Sequence, residues 1–188
     1  FNTSVMNKQI RRKSNRKHSP GYLSGKAAYL GDKNVPVSIE LIQYDSSQAE
    51  IKTIALEQIP LLNNYIDSGK VSWFKVTGIS DAPTISQICL KFGLHVFDVK
   101  DLLSDQQVVK MVTYDKATYA LLSYFYPDKK TDRLDDMQIG FILGKNFVIS
   151  FQEETCPVFD EAKDGIKEKN VIIRQKGADY LLYILLNA

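Results

Sequence analysis

The most strongly apolar part of the chain lies at residues 137–152, MQIGFILGKNFVISFQ. Two runs rich in Phe, Ile and Val, residues 139–143 and 147–151, are separated by Gly144-Lys145-Asn146. A short connection that contains glycine between two such runs is typical of a β-hairpin. Because few polar residues interrupt either run, we predict strands that are covered by helices on both faces of a sheet.

Two earlier β-rich runs, residues 108–114 and 118–126, precede this hairpin. Asp115-Lys116 predicts a tight turn between them, and the polar residues 127–133 predict a longer loop before the hairpin. Four consecutive strands with short connections form an antiparallel meander. The pattern therefore predicts an α/β domain whose core is this meander.

Further strands are predicted over residues 37–44 and 71–76, which are rich in β-branched and aromatic side chains. Between them, Ser47 and Glu50 have the spacing of a capping box, which predicts a helical turn after the first of these strands. Pro60 interrupts the next apolar stretch, so we assign no element there.

The clearest helix begins after Asp81, which can cap it, with Pro83 in the first turn and Gly93 at the position of a C-terminal glycine. Its apolar residues recur at helical spacing and form one stripe: Ile85, Ile88, Cys89 and Phe92. Because Cys89 lies on that stripe, we interpret it as a small core residue and not as a nucleophile.

A second, shorter helix is predicted over residues 95–103. One face carries Val96, Val99 and Leu103, and another carries Asp98, Asp101 and Asp105, if the helix extends that far. Aligned carboxylates repel one another unless they are solvated, paired or bridged by a cation. A hard divalent cation such as Mg²⁺ prefers such oxygen ligands, so a solvated face and a cation site both remain open. His95 is interpreted as a cap or a packed imidazole.

The C-terminal part of the sequence predicts two helices. Residues 157–169 are amphipathic, with Phe159, Ala162 and Ile166 on the apolar side. Residues 174–188 are apolar around most of the helix, with one side formed by Ala178, Leu181, Leu182 and Leu185. Such a helix is buried or contacts a partner, and because it stops without a capping glycine we expect it to be the start of a longer helix.

Composition adds few constraints. The 188 residues suit one domain, and a formal net charge of +2 argues against a partner bound by overall charge. Residues 1–19 are basic and are expected to form a flexible tail, although such a run can also bind anionic lipid or nucleic acid. Cys89 and Cys156 match no metal or redox spacing, which favours reduced thiols in the cytosol. The apolar run at residues 180–186 is shorter than the roughly 20 residues of a membrane-spanning helix.

Motifs of common enzymes are missing from the sequence. It contains no P-loop, GxGxxG or HExxH pattern. Of the two histidines, His18 lies in the basic tail, so only His95 is available to a Cys–His or Ser–His–Asp arrangement. We therefore predict that the protein is not an enzyme.

Three segments together resemble the CorA family of magnesium transporters. Residues 71–103, VSWFKVTGISDAPTISQICLKFGLHVFDVKDLL, are similar to its run of strand, TG turn, helix, FGxH motif and short acidic helix. GKNFVISFQE at residues 144–153 resembles a hairpin of that family that ends in FQE, and GADYLLYILLNA at residues 177–188 resembles the start of its long stalk helix. The resemblance covers residues 20–188. The family's two membrane spans and GMN signature are not in the sequence, which predicts the cytoplasmic domain alone.

The resemblance implies an α/β/α sandwich around a mixed, largely antiparallel sheet of about seven strands. It also implies three parts: a tail over residues 1–19, a funnel domain over residues 20–173 and the start of a stalk over residues 174–188. In the family this domain forms a homopentamer beneath a pore in the cell inner membrane and faces the cytoplasm. The family transports Mg²⁺, and also Co²⁺ or Ni²⁺, and no nucleic-acid partner is expected.

The same resemblance implies regulatory Mg²⁺ sites between subunits that hold the gate closed, and the main carboxylate of these sites falls on Asp101. Members with a second metal site have Glu where this chain has Lys100, and Asp where it has Asn187. We therefore predict that the second site is lost and that only a site centred on Asp101 remains. Two alternatives stay open: a zinc-transporting relative, because ion selection lies in the pore segment, and a free-standing soluble binding or scaffold domain.

Overall fold

The computed structural model describes residues 26–67, 69–106, 108–128, 133–155, 157–168 and 172–187. These residues contain a mixed sheet of seven strands in the order β2-β1-β3-β7-β6-β5-β4. The strands are β1 (Ser38–Tyr44), β2 (Ala49–Ile54), β3 (Val71–Thr77), β4 (Lys110–Thr113), β5 (Thr118–Asp128), β6 (Arg133–Leu143) and β7 (Phe147–Gln152). The helices are α1 (Ala82–Lys91), α2 (Val96–Leu102), α3 (Asp160–Lys167) and α4 (Ala178–Leu186), with 3-10 helices at Leu56–Tyr65, Pro157–Phe159 and Ile172–Gln175. The predicted tail of residues 1–19 and Cys156 lie outside the described residues.

The predicted meander is confirmed, because β4, β5, β6 and β7 pair in succession and are antiparallel. The amide of Tyr114 donates to the carbonyl of Ala117 at 2.8 Å and that of Gly144 to Phe147 at 2.9 Å, which closes the two short turns. The predicted loop over residues 127–133 is wrong at both ends, because β5 and β6 stay paired as far as Asp128 and Arg133.

The sheet is mixed because β3 and β7 are parallel neighbours, whereas the other paired strands run antiparallel. The chain leaves β3, forms α1 and α2 on one face and then builds β4 to β6 before β7 returns beside β3. The segment between these two parallel strands thus contains the short helix with the aspartates.

Helices cover both faces of the sheet, as predicted. The 3-10 helix Leu56–Tyr65, α1 and α2 pack on one face, and α3 and α4 pack on the other. The alternation of strand residues is clear in β3, where Phe74 faces α1 and Trp73 faces α3, and both are fully buried. The indole N–H of Trp73 donates to Ser150 Oγ at 2.9 Å, so its polar atom is satisfied inside the core. Burial of each such side chain stabilises the fold by about 1.5–3 kcal/mol.

Both signals at the ends of α1 are confirmed. Asp81 caps it by accepting from the Thr84 amide at 3.3 Å, and Pro83 lies in the first turn. Gly93 follows the helix with φ of +85°, a conformation that favours glycine. This turn directs the chain into α2, which runs between His95 and Leu103 much as predicted.

The helical turn predicted at Ser47 and Glu50 is wrong, because β2 occupies residues 49–54 and pairs with β1. Asp45 Oδ1 instead accepts from the amides of Ser47 at 2.7 Å and Gln48 at 2.9 Å. These bonds to an Asp side chain stabilise a tight turn and leave Glu50 in a strand.

The C-terminal helices bury all but one of the predicted residues, namely Phe159, Ala162, Ile166, Ala178, Leu181 and Leu185, whereas Leu182 is only partly buried. The last helix begins at Ala178, however, and a 3-10 helix with the buried Arg174 precedes it. Tyr183 and Leu186 are exposed at the end of α4. In the described part of the chain, every helix is too short or too polar to span a membrane.

Candidate functional site

Two of the three aspartates singled out in the sequence lie one turn apart on α2. Asp98 is buried, and the Asp101 side chain is 14% exposed. Asp105 was expected on the same face only if the helix extended that far, and because α2 ends at Leu102 the exposed Asp105 lies beyond it. Helix α2 therefore carries two of the three acids, and because both are largely buried they do not form a solvated face.

A lysine from the neighbouring strand joins the two carboxylates. Lys110 Nζ donates to Asp98 Oδ1 at 2.5 Å and also to Asp101 Oδ2. Lys110 is the first residue of β4, so it follows the two aspartates by 12 and 9 positions and belongs to a different element. The sequence near Asp98 and Asp101 does not indicate Lys110, because the alternation of β4, in which Lys110 and Val112 are more buried than Met111 and Thr113, is a property of the folded sheet.

Two tyrosines complete the surroundings of Asp98. The Tyr114 hydroxyl donates to Asp98 Oδ2, and the Tyr119 hydroxyl donates to the Asp98 carbonyl at 3.2 Å. The Lys110 ammonium also lies 5.8 Å from the centre of the Tyr119 ring, within reach of a cation–π contact. Both carboxylate oxygens of Asp98 therefore have partners in the same copy of the chain.

The end of α2 packs against β6 beside a glycine. A Cβ atom at Gly140 would lie 2.7 Å from Leu102 Cδ1, the end of a flexible side chain. Leu102 follows Asp101 directly, so this contact lies next to the two aspartates.

The ammonium of Lys110 is stabilised in its charged form. Burial disfavours the charge, but the hydrogen bonds that Lys110 donates to Asp101 and Asp98 outweigh that effect and raise the pKa of Lys110 above its ordinary value. Two carboxylates and one ammonium thus leave one formal negative charge at this place.

The described residues contain no group of three or more His, Cys, Asp or Glu side chains that could hold a metal ion. Mg²⁺ is commonly bound by one or two carboxylates together with several waters. In one copy the Lys110 ammonium lies between the two available carboxylates, so a single copy does not offer a complete magnesium site. Asp101 is the more exposed of the two and is the residue that could contribute an oxygen to a shared ion. Its role as a metal ligand stays a prediction.

The structure describes both residues, Lys100 and Asn187, whose identities led to the prediction that a second metal site is lost. Lys100 is 6% exposed, and its Nζ lies 5.7 Å from the centre of the Phe97 ring. Asn187 follows α4, and its side-chain amide donates to the Tyr183 carbonyl at 2.7 Å. The loss of that site stays a prediction.

His95 and Cys89 have the structural roles expected of them. His95 Nδ1 accepts from the Phe97 amide at 3.3 Å, which caps α2, and the two rings lie 5.0 Å apart. Cys89 is fully buried, and burial raises the pKa of its thiol. A neutral, inaccessible thiol is unsuited to nucleophilic chemistry.

Exposed apolar side chains flank the charged residues in sequence. Phe97 precedes Asp98 and is 57% exposed, whereas Val109 and Met111 on either side of Lys110 are 67% and 75% exposed. Of these side chains, Phe97 belongs to α2 with the two aspartates, whereas Met111 alternates with Lys110 along β4 and points to the opposite face of the sheet.

Comparison with known proteins identifies relatives along most of the chain. Residues 68–188 match the model of the family described as CorA-like Mg²⁺ transporter protein. The chain is 32% identical over 169 residues to the cobalt/magnesium transport protein CorA of Thermotoga maritima, which covers 89% of this chain and 47% of that protein. The chain therefore spans about half the length of this curated relative.

Two solved structures share the fold. The full-length CmaX protein aligns with a TM-score of 0.59 and 14% identity, over 84% of this chain and 46% of that one. The soluble domain of CorA from Methanocaldococcus jannaschii aligns with a TM-score of 0.55 and 13% identity, over 84% of this chain and 56% of that one. The predicted α/β/α sandwich with a mixed, largely antiparallel sheet is confirmed.

Proposed function

The chain belongs to the family of CorA-like Mg²⁺ transporter proteins, and we propose that it is the cytoplasmic regulatory domain of a transporter of Mg²⁺, with Co²⁺ and Ni²⁺ as further substrates. The observation that carries this proposal is the 32% identity to a cobalt/magnesium transport protein along 89% of the chain. A transporter domain also agrees with the prediction that the protein is not an enzyme.

The complete protein, in this proposal, is a homopentamer that enters the cell inner membrane through spans beyond α4. The chain covers only 47% of its curated relative, which leaves room for such spans in a longer protein. The exposed apolar side chains Tyr183 and Leu186 at the end of α4 support further packing of this helix.

We further propose that Asp101 supplies one carboxylate to a regulatory Mg²⁺ site, and that a neighbouring copy supplies another acid. The partial exposure of Asp101 supports this, as does Phe97, which precedes Asp98 on the chain and whose apolar side chain is 57% exposed. A cation that binds one arrangement of subunits more tightly shifts the population toward that arrangement. At high Mg²⁺ concentration the closed arrangement is then favoured.

Ion flux through the full-length protein in vesicles tests this role. Asp101→Asn keeps the size of the side chain and removes its charge, so it should abolish most of the inhibition by internal Mg²⁺. Asp105→Asn is the matched control, because Asp105 is exposed and lies outside α2. Inhibition of the Asp101→Asn protein at the same Mg²⁺ concentration as the unsubstituted protein would rule out the assignment.

A further inference from the structure

The cation between the carboxylates of Asp98 and Asp101 is the side-chain ammonium of Lys110, a residue of the same chain. Lys110 Nζ donates to one oxygen of each carboxylate, so it takes the place that a bridging metal ion would need. Its side chain is 23% exposed, compared with 8% for Asp98 and 14% for Asp101. The Lys110 side chain is therefore more exposed to solvent than those of its two partners.

An ammonium and a magnesium ion cannot share Asp101 at close range. Both are cations, and at a separation of a few ångströms in partly buried surroundings their repulsion is strong. Only one of Asp98's oxygens depends on Lys110, because the other accepts from the Tyr114 hydroxyl. When the lysine leaves, Asp98 keeps the hydrogen bond from the Tyr114 hydroxyl, whereas Asp101 Oδ2 loses the hydrogen bond from Lys110.

We propose that Lys110 is a built-in competitor of the divalent cation at Asp101, so that Mg²⁺ binds there only after the ammonium has left. This inference rests on the proposed function, since it concerns the same regulatory site. Lys110 then sets the Mg²⁺ concentration at which the site fills. It also offsets part of the negative charge of the two carboxylates when the ion is absent.

Calorimetric titration of the full-length protein with Mg²⁺ tests the competition. Lys110→Met removes the charge and keeps an unbranched apolar stem, and it should tighten Mg²⁺ binding by about tenfold or more. Lys110→Arg, which keeps the charge, should bind no more tightly than the unsubstituted protein. Lys116→Met is the matched control, because Lys116 is exposed in the turn between β4 and β5 and its removal changes net charge equally.

The double variant Lys110→Met with Asp101→Asn separates the two proposals. Loss of the tight binding in that variant supports competition at Asp101. If Asp101→Asn abolishes Mg²⁺ binding but Lys110→Met leaves the affinity unchanged, the competition is overturned and the proposed function stands. If Mg²⁺ binding does not depend on Asp101 in either background, both proposals are overturned.

Should Lys110→Met not fold, Lys110→Gln serves the same comparison, because it also removes the charge but keeps a hydrogen-bond donor.

Discussion

Lys110 and Asp101, nine residues apart, form an ion pair that joins the edge strand β4 to helix α2. The same ammonium also binds Asp98, so a single lysine holds two carboxylates on adjacent turns of the helix. This arrangement makes the fold and the proposed regulation depend on the same three side chains.

Removal of the lysine charge should destabilise the domain. Lys110→Met removes the ammonium that donates to two largely buried carboxylates, and breaking a buried ion pair costs about 3–5 kcal/mol. The free energy of unfolding from urea denaturation, without divalent cations, measures this loss. Lys116→Met should change it by less than about 0.5 kcal/mol, because that lysine is exposed. Equal stability of the two variants would show that the ion pair contributes little.

The exposed side of the edge strand β4 should contact a second copy. Met111→Glu places a charge on the exposed side of β4, where the side chain is 75% exposed, and should weaken assembly of the full-length protein. Light scattering in detergent solution measures the mass of the assembly. Leu90→Glu is the control, since Leu90 is also an exposed apolar residue but lies on α1. Smaller assemblies of both variants, or of neither, would argue against an interface at β4.

Stability should fall with rising pH because of Glu153. Burial raises the pKa of its carboxyl, and the hydrogen bond from the Tyr29 hydroxyl at 2.9 Å only partly opposes that effect. The folded state therefore binds this proton more tightly than the unfolded state. The stabilisation is complete below the ordinary pKa of Glu, about 4.3, and is lost as pH rises through the raised value.

Glu153→Gln should remove this pH dependence and stabilise the protein at neutral pH. Thermal unfolding measured between pH 4 and pH 8 is the test. Glu154→Gln should keep the pH dependence, because Glu154 is about one-third exposed and pairs with Lys33 at 3.1 Å. An unchanged slope in the Glu153→Gln protein would contradict the assignment.

Features determined by neighbouring residues were predictable from sequence. The ends of α1 follow from Asp81 and Gly93, which act within one turn of the helix. The meander follows from the short connections between its strands. Local signals also compete, however, and at Ser47 the hydrogen bonds to Asp45 outweighed a spacing that favours a helix.

The candidate site was only half predictable. Helical spacing brought Asp98 and Asp101 to one face of α2, but nothing near them in sequence indicates Lys110. Its position depends on the pairing of β4 with β5 and on the packing of α2 against β6. These contacts join distant parts of the chain, so they became visible only in the structure.

The most direct test of the account is an anomalous difference map from crystals of the full-length protein grown with Co²⁺. We expect a peak within coordination distance of Asp101, close to an acidic residue of a neighbouring copy, with Lys110 turned away from both aspartates. A map without a peak at Asp101, or with Lys110 still bound between Asp98 and Asp101, would contradict the account.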